Sequence, residues 1–405
     1  MHVDKDMHGL IELSSNKFSP KLTIKDIFLN NHNWDRVQFL YRDIIRDVEI
    51  KEVNKMLSCK ESDRGFFVYY CEKCERHYIV AYGCNSRICS NCGKNYTDKW
   101  AVQLSKKMFR VPHRHIVLSM PDKLWPELRL YRDGWKVVMD SAIRAINDVL
   151  SKFLRQKILA GAIVVLHPFG RDLEFKPHLH ILMTEGGFDR KGNFVPKNFI
   201  PGRAMRKTWQ YQLLTNLKKV FPQTYEYSRF IDSLFKGYPE GFYVWLPKES
   251  RITSNRITAR YVGRYVRHPA IANSRISDYD GDAVTFWYKD NEDKKHYKTM
   301  NVDEFILALI QHIPEPQFKM IRYYGAYCRK WKGRFAKYLI QRSITQSMLE
   351  QFEVKKVLCC PKCGSKLIFD FKLDRPPPEK YDYGGKITNW VEITYSIGAV
   401  NLSHQ

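Results

Sequence analysis

Hydrophobic and polar positions alternate along this chain in two different periods, and the changeovers between them outline its elements. Helical spacing appears first around Trp34 to Val53, and again from about Tyr96 to Met108. His115-Ile-Val-Leu-Ser-Met120, closed by Pro121, reads as a strand. Helical periodicity returns from about Trp135 to Gln156. Gly161 to Leu166 and Pro177 to Met183 are then two apolar strands, with Gly170-Arg-Asp between them as a hairpin turn. A Gly/Pro/Lys loop from Gly186 to Pro201 leads into a basic helix over about Ala204 to Val220. Tyr243 to Leu246 is another strand, and Thr258 to Arg267 a helix that Pro269 cannot continue. Val284 to Tyr288 pairs with Tyr297 to Met300 as a hairpin, and a helix introduced by Asn301 or Asp303 covers Val302 to His312. Strands and helices follow one another without a regular βαβ repeat, so the pattern predicts an α+β fold with a mostly antiparallel sheet.

The intervals between these elements suggest five divisions: a helical lead-in (1–58), a cysteine-rich module (59–95), a main domain (96–300), a basic helical extension (301–353) and a tail (354–405). A chain of 405 residues with 44% hydrophobic content can bury a substantial core. Lys and Arg number 67 against 43 Asp and Glu, for a formal charge of +24 and a pI near 9.5. Such a field suits a polyanion, and nucleic acid is the common one. The sequence has no apolar run of about 18 residues and no signal-peptide core near its start, so a membrane role is not expected and the protein reads as cytoplasmic.

Ten cysteines without a secretion signal argue for metal binding over disulfides. Cys71-x2-Cys74 and Cys89-x2-Cys92 have the spacing of a four-thiolate Zn²⁺ site, in which two knuckles close a tetrahedral shell with no open position. That zinc is expected to be structural, because so short a region cannot bury enough apolar surface to fold alone. Cys59, His77 and Cys84 leave three alternatives open: substitution for one of the four, a second site, or free thiols. Cys359-Cys360-Pro-Lys-Cys363-Gly has the look of half a zinc ribbon with no second half beyond it, so a second site here would be completed by a residue from elsewhere.

His178 and His180 stand at i and i+2 of a strand, so their imidazoles share one face while Leu179 and Ile181 take the other. Two imidazoles on one face make a partial site for a divalent metal. His167, at the end of the preceding strand, is brought back beside them by a hairpin turning at Gly170; Glu174 and His115 compete for that third place. His113-Arg-His115 has the same spacing but is read as the polar face of an opening strand. Downstream, Tyr261 and Tyr265 lie one helical turn apart among Arg260, Arg264 and Arg267. A phenol with a pKa near 10 is a poor nucleophile unless cations stabilise the phenolate, which these arginines can do while holding a phosphate. Arg203, Arg206 and Lys207 on the basic helix are candidates for the DNA backbone.

In this order, a cysteine module, a His-Leu-His strand and a Tyr-x3-Tyr helix resemble the IS91 family of transposases, which belong to the HUH endonucleases. Cys84-Asn-Ser-Arg-Ile-Cys89-Ser-Asn-Cys92-Gly, His167-Pro-Phe-Gly-Arg-Asp-Leu173, Pro177-His-Leu-His180, Tyr261-Val-Gly-Arg-Tyr265 and Ile321-Arg-Tyr-Tyr-Gly325 carry the likeness. The resemblance implies an HUH nuclease domain and rolling-circle-like transposition of single-stranded DNA at transposon ends and targets. It also implies Mg²⁺ or Mn²⁺ on His178 and His180, and Tyr261 and Tyr265 as nucleophiles forming a 5′-phosphotyrosine. His167 as third ligand rests partly on the similar upstream histidine of relaxases. A replication initiator or relaxase is the alternative within this chemistry, and a non-catalytic zinc-dependent DNA-binding regulator the alternative outside it.

Overall fold

The computed structural model describes residues 22–61, 64–105, 107–197, 200–246, 251–252, 270–290, 292–339, 358–373 and 390–392. The described chain opens with α1 (Ile24–Leu29), α2 (Asn33–Leu40) and α3 (Asp47–Leu57). A hairpin of β1 (Phe66–Cys71) and β2 (Arg76–Ala81) follows, then α4 (Ser90–Ser105). Next come β3 (His113–Ser119), α5 (Trp125–Leu130), α6 (Gly134–Phe153), β4 (Gly161–Phe169) and β5 (Phe175–Thr184). After a short pair, β6 (Gly186–Phe188) and β7 (Phe194–Pro196), the chain forms α7 (Gly202–Leu217), α8 (Tyr225–Gly237), β8 (Val244–Trp245) and β9 (Arg251–Ile252). β10 (Ile276–Tyr279), β11 (Ala283–Lys289) and β12 (Lys295–Asn301) form a three-stranded sheet, followed by a helix at Val302–Ile310 and by β13 (Ile321–Gly325). β14 (Ile368–Leu373) and β15 (Trp390–Glu392) return to the N-terminal hairpin.

The central sheet has the order β13-β4-β5-β3-β8, with β9 also on β3, and every pairing in it is antiparallel. The α+β expectation is met by this mixture of helices and antiparallel sheet. The expected helix over 258–267 lies outside the described residues.

Side chains alternate across the sheet, so each face has its own partner layer. Ile116, Leu118, Leu179, Ile181 and Met183 point to one face and pack on the helices. α6 meets them with Trp135, Val138, Met139, Ala142, Ile146 and Val149, an apolar stripe at helical spacing. Full burial of each large aliphatic side chain here is worth roughly 1.5–3 kcal/mol. The other face is apolar toward one end, where Ile163, Val165 and Leu182 pack on Phe109, Phe188, Tyr327 and Phe335. Toward the opposite end it carries histidines.

A second core joins distant parts of the sequence. Phe28, Trp34, Val37 and Val53 from the first three helices pack with Phe286, Phe305 and Ile306, and Cys59, Cys84 and Cys89 are buried among them. The helix at Val302–Ile310 starts where the Asn301 side chain accepts the Asp303 N–H at 2.9 Å, satisfying a donor the helix leaves free. Among the described residues, no helix is long and apolar enough to cross a membrane.

Candidate metal centre

The β4–β5 hairpin turns over Gly170 to Glu174, where the Gly170 N–H donates to the Glu174 carbonyl at 2.8 Å. This turn sets the register, placing His167 opposite His178 and Val165 opposite His180. Directly paired residues share a face, so His167, His178 and His180 stand together. His167 Nδ1 lies 3.2 Å from His178 Nε2, which is 3.1 Å from His180 Nε2. The three ligand atoms fall within 4.8 Å of one another.

The protonation of His178 and His180 follows from burial and proximity. The His178 Nδ1–H donates to the Lys176 carbonyl at 2.7 Å, leaving its Nε2 lone pair directed at the other two rings. Burial lowers the pKa of His178. His180 is driven well below the ordinary histidine range by burial, then by His178, His167, His115 and the guanidinium of Arg171. Neutral imidazoles with converging lone pairs are the form a divalent cation requires, so the donor set fits one. Three protein ligands leave positions open for substrate.

His115 is the residue that sequence reasoning placed wrongly. Read as part of a polar strand face, it is 1% exposed, and His113 is fully buried beside Tyr327. β3 pairs with β5 so that His115 sits diagonal to His180 on the same face. Its Nε2 is 3.0 Å from His180 Nδ1, with the rings nearly parallel at 9°. When His180 Nδ1–H donates to His115, the Nε2 lone pair of His180 is left for a metal. The i, i+2 histidines of an adjacent strand were the available signal. Glu174, the other competitor, instead pairs with Lys176 and Lys298.

A cavity of about 410 Å³ opens beside His167. Trp100, Phe169, Phe318 and Tyr323 give it aromatic walls, with Arg87 and Lys319 supplying positive charge. Tyr261, Tyr265, Arg260, Arg264 and Arg267 lie outside the described residues. Arg203, Arg206 and Lys207 are exposed on the first turns of α7. The Trp209 indole N–H of that helix donates to the Ser119 carbonyl at 2.7 Å, and Ser119 pairs with His178. The basic turn is thereby tied to the histidine end of the sheet. Arg203 is partly engaged by Glu240 at 2.9 Å, and the Arg206 guanidinium lies 5.9 Å from the Tyr243 ring centroid.

The cysteines assemble differently from the expected quartet of Cys71, Cys74, Cys89 and Cys92. The β1–β2 hairpin carries Cys71 and Cys74 away at its tip, where they meet Cys360 and Cys363. Its base brings Cys59 and Cys84 to Cys89 and Cys92, fastened by Tyr82 N–H to the Gly65 carbonyl at 3.0 Å. In this basal quartet the sulfurs of Cys59 lie 3.6 Å from Cys89 and 3.8 Å from Cys92, and Cys84 lies 3.7 Å from Cys92. A tetrahedron with Zn–S bonds of about 2.3 Å has edges of about 3.8 Å, so the quartet matches a zinc shell. Hydrogen bonds from Cys59, Cys84 and Cys89 hold Cys92 far toward the thiolate. His77 joins neither quartet and pairs with Asp370 at 3.2 Å.

Known families match two separate stretches of the chain. Residues 29–120 match the family described as "Transposase zinc-binding domain", of IS91 type, and residues 161–334 match one described as "Putative transposase". The chain is 29% identical over 340 residues to the transposase for insertion sequence element IS801 of Pseudomonas savastanoi pv. phaseolicola, covering 79% of this chain and 80% of the relative. It is 26% identical over 286 residues to "Putative transposase y4qJ" of Sinorhizobium fredii (strain NBRC 101917 / NGR234), covering 66% and 71%. No solved structure matches it significantly. The matches run through both the cysteine-rich hairpin and the histidine sheet, and the chain belongs to the IS91 family of transposases.

Proposed function

We propose that this protein moves an IS91-type element by cutting and rejoining single-stranded DNA through a 5′-phosphotyrosine, with His167, His178 and His180 holding the catalytic metal. The observation that carries the reading is the convergence of three imidazole nitrogens on one sheet face, with His167 lining a cavity of about 410 Å³. This reading makes residues 96–300 an HUH nuclease domain, named for the hydrophobic residue between two histidines that Leu179 supplies. Mg²⁺ or Mn²⁺ bound there would polarise the scissile phosphate and offset its developing charge.

The residues of the chain divide the remaining work. The Lys176 carbonyl and His115 fix the tautomers of His178 and His180, so both rings present Nε2. Tyr261 or Tyr265, its phenol proton lost to solvent, attacks phosphorus in line. The bond to the 3′ oxygen breaks, that oxygen takes up a proton, and the 5′ phosphate stays on tyrosine. A later 3′-OH attacks the phosphotyrosine, restoring the phenol and sealing the new junction. Arg260, Arg264 and Arg267 lower the cost of the phenolate. Trp100, Phe169, Phe318 and Tyr323 offer faces for unpaired bases, with Arg87 and Lys319 for phosphate. Arg203, Arg206 and Lys207 extend the track along α7. The quartet of Cys59, Cys84, Cys89 and Cys92 holds a structural Zn²⁺. The protein thus acts on DNA in the cytoplasm.

The test uses labelled single-stranded oligonucleotides carrying element ends, with Mn²⁺, and mass spectrometry of any protein–DNA adduct. The expected result is a metal-dependent adduct on a peptide containing Tyr261 or Tyr265, absent from His178→Ala. An adduct that persists after Tyr261→Phe plus Tyr265→Phe, or that forms equally well in EDTA, overturns the reading.

A further inference from the structure

The half-ribbon Cys360-Pro-Lys-Cys363 lacks a partner in its own neighbourhood, and the fold supplies one 292 residues upstream. We propose that Cys71, Cys74, Cys360 and Cys363 bind a second Zn²⁺, which clasps the C-terminal strand to the N-terminal hairpin. The inference is independent of the strand-transfer chemistry.

The sulfur geometry is the first support. Cys71 and Cys363 are 3.5 Å apart, Cys74 and Cys360 3.8 Å, and all four sulfurs fall within 4.8 Å of one another. A zinc tetrathiolate needs edges of about 3.8 Å, whereas a disulfide needs about 2.05 Å. The two knuckles also share a shape. Each continues past its second cysteine with a left-handed residue, Glu75 at φ 51° and Gly364 at φ 72°. In each, the backbone N–H of the second cysteine is directed at the sulfur of the first. The Gly364 N–H donates to the Cys360 carbonyl at 2.8 Å, and the Cys360 N–H to the Ser365 carbonyl at 2.7 Å, closing the C-terminal turn.

Packing points the same way. The Tyr78 hydroxyl lies 2.9 Å from the Cys360 sulfur. Among the described residues, the local core contains only Cys71, Tyr78, Cys360 and Leu367 as buried members, too little apolar surface to hold β14 in place by itself. Metal binding supplies folding free energy of the kind that such a small core lacks. The site is also distinct from the basal quartet. Cys71 ends β1 at the hairpin tip and Gly65 marks its base, so the strand separates the two quartets by about 20 Å at roughly 3.3 Å per residue. One ion cannot serve both.

Native mass spectrometry and elemental analysis of the full chain, purified under reducing conditions, test the assignment. Two zinc ions per chain are expected, falling to one in Cys360→Ser plus Cys363→Ser and remaining two in Cys359→Ser. One zinc in the unmodified protein, or two in the double variant, overturns the proposal, as does a Cys71–Cys363 or Cys74–Cys360 disulfide in the purified chain. Should the double variant fail to fold, Cys363→His in cobalt-loaded protein decides. A tetrathiolate converted to three sulfurs and one nitrogen moves the visible bands of one of two sites to shorter wavelength. A spectrum unchanged by that substitution removes Cys363 from the shell.

Discussion

His178 uses both nitrogens of one ring, Nδ1 on the Lys176 carbonyl and Nε2 in the histidine cluster. His115 does the corresponding service for His180 from the next strand. Removing such an outer partner of a metal-binding histidine costs about 10–100-fold in metal affinity. His115→Ala is therefore expected to raise the Mn²⁺ concentration needed for adduct formation by that factor, with activity recovered at saturating Mn²⁺. A variant that loses activity without recovery contradicts this positioning role. His312 poses a different residue-scale problem. It is buried, its Nε2–H donates to the Leu173 carbonyl at 3.3 Å, and burial lowers its pKa to about 3. The folded protein thus refuses a proton that the unfolded chain accepts below about pH 6.5, so stability is lost as pH falls through that window. From pH 6.5 to 5 the loss is about 2 kcal/mol at 1.4 kcal/mol per unit. Urea midpoints should fall less steeply with acid in His312→Gln; an unchanged slope would exclude His312 as the group. The His178/His180 pair was legible because strand alternation is local. His115 was not, since its role appears only when β3 pairs with β5.

At the scale of elements, the hairpin of β4 and β5 performs the essential alignment. Both strands and the turn at Gly170 are readable from the apolar runs, and with them the return of His167 toward His178. The pairing of cysteines was unreadable for a physical reason. A Cys-x2-Cys spacing specifies a knuckle but not which other knuckle it meets. Residues 66–81 also form a hairpin in a region whose cysteines mask its alternation, and that hairpin separates Cys74 from Cys89. Edge strand β13 illustrates a constraint that no pattern of apolar residues displays. Gly325 ends it at φ 56°, and a Cβ there would lie 1.7 Å from the Ala160 carbonyl oxygen. Gly325→Ala must break the pairing with Gly161 or move the backbone, and is expected to cost about 1–3 kcal/mol or more in thermal or urea melts. A melt indistinguishable from the parent would show that β13 tolerates rearrangement at this end.

For the molecule as a whole, charge and connectivity matter most. With a formal charge of +24, binding to DNA is expected to release many counterions. If six or more phosphates are contacted, affinity should drop about 300-fold or more between 50 and 200 mM salt, measurable by fluorescence anisotropy with a single-stranded oligonucleotide. A shallow slope would mean that few of the lysines and arginines face DNA. The tyrosine helix, expected over 258–267, lies outside the described residues, so the sequence remains its source. Connectivity shows in the hairpin of β1 and β2, whose neighbours β14 and β15 come from the far end of the chain. Cys71 and Cys363 are separated by 292 residues. At a ribosomal pace of roughly 5–20 residues per second, the hairpin waits about 15–60 s for its last partners. During that time the edge of β1 that pairs with β14 is bare, and a bare edge is a template for aggregation. A gene copy interrupted shortly before the codon for Cys360 therefore yields a chain that keeps every histidine and tyrosine of the candidate site yet never covers that edge. Synthesis itself would then distinguish intact copies from broken ones before either meets DNA.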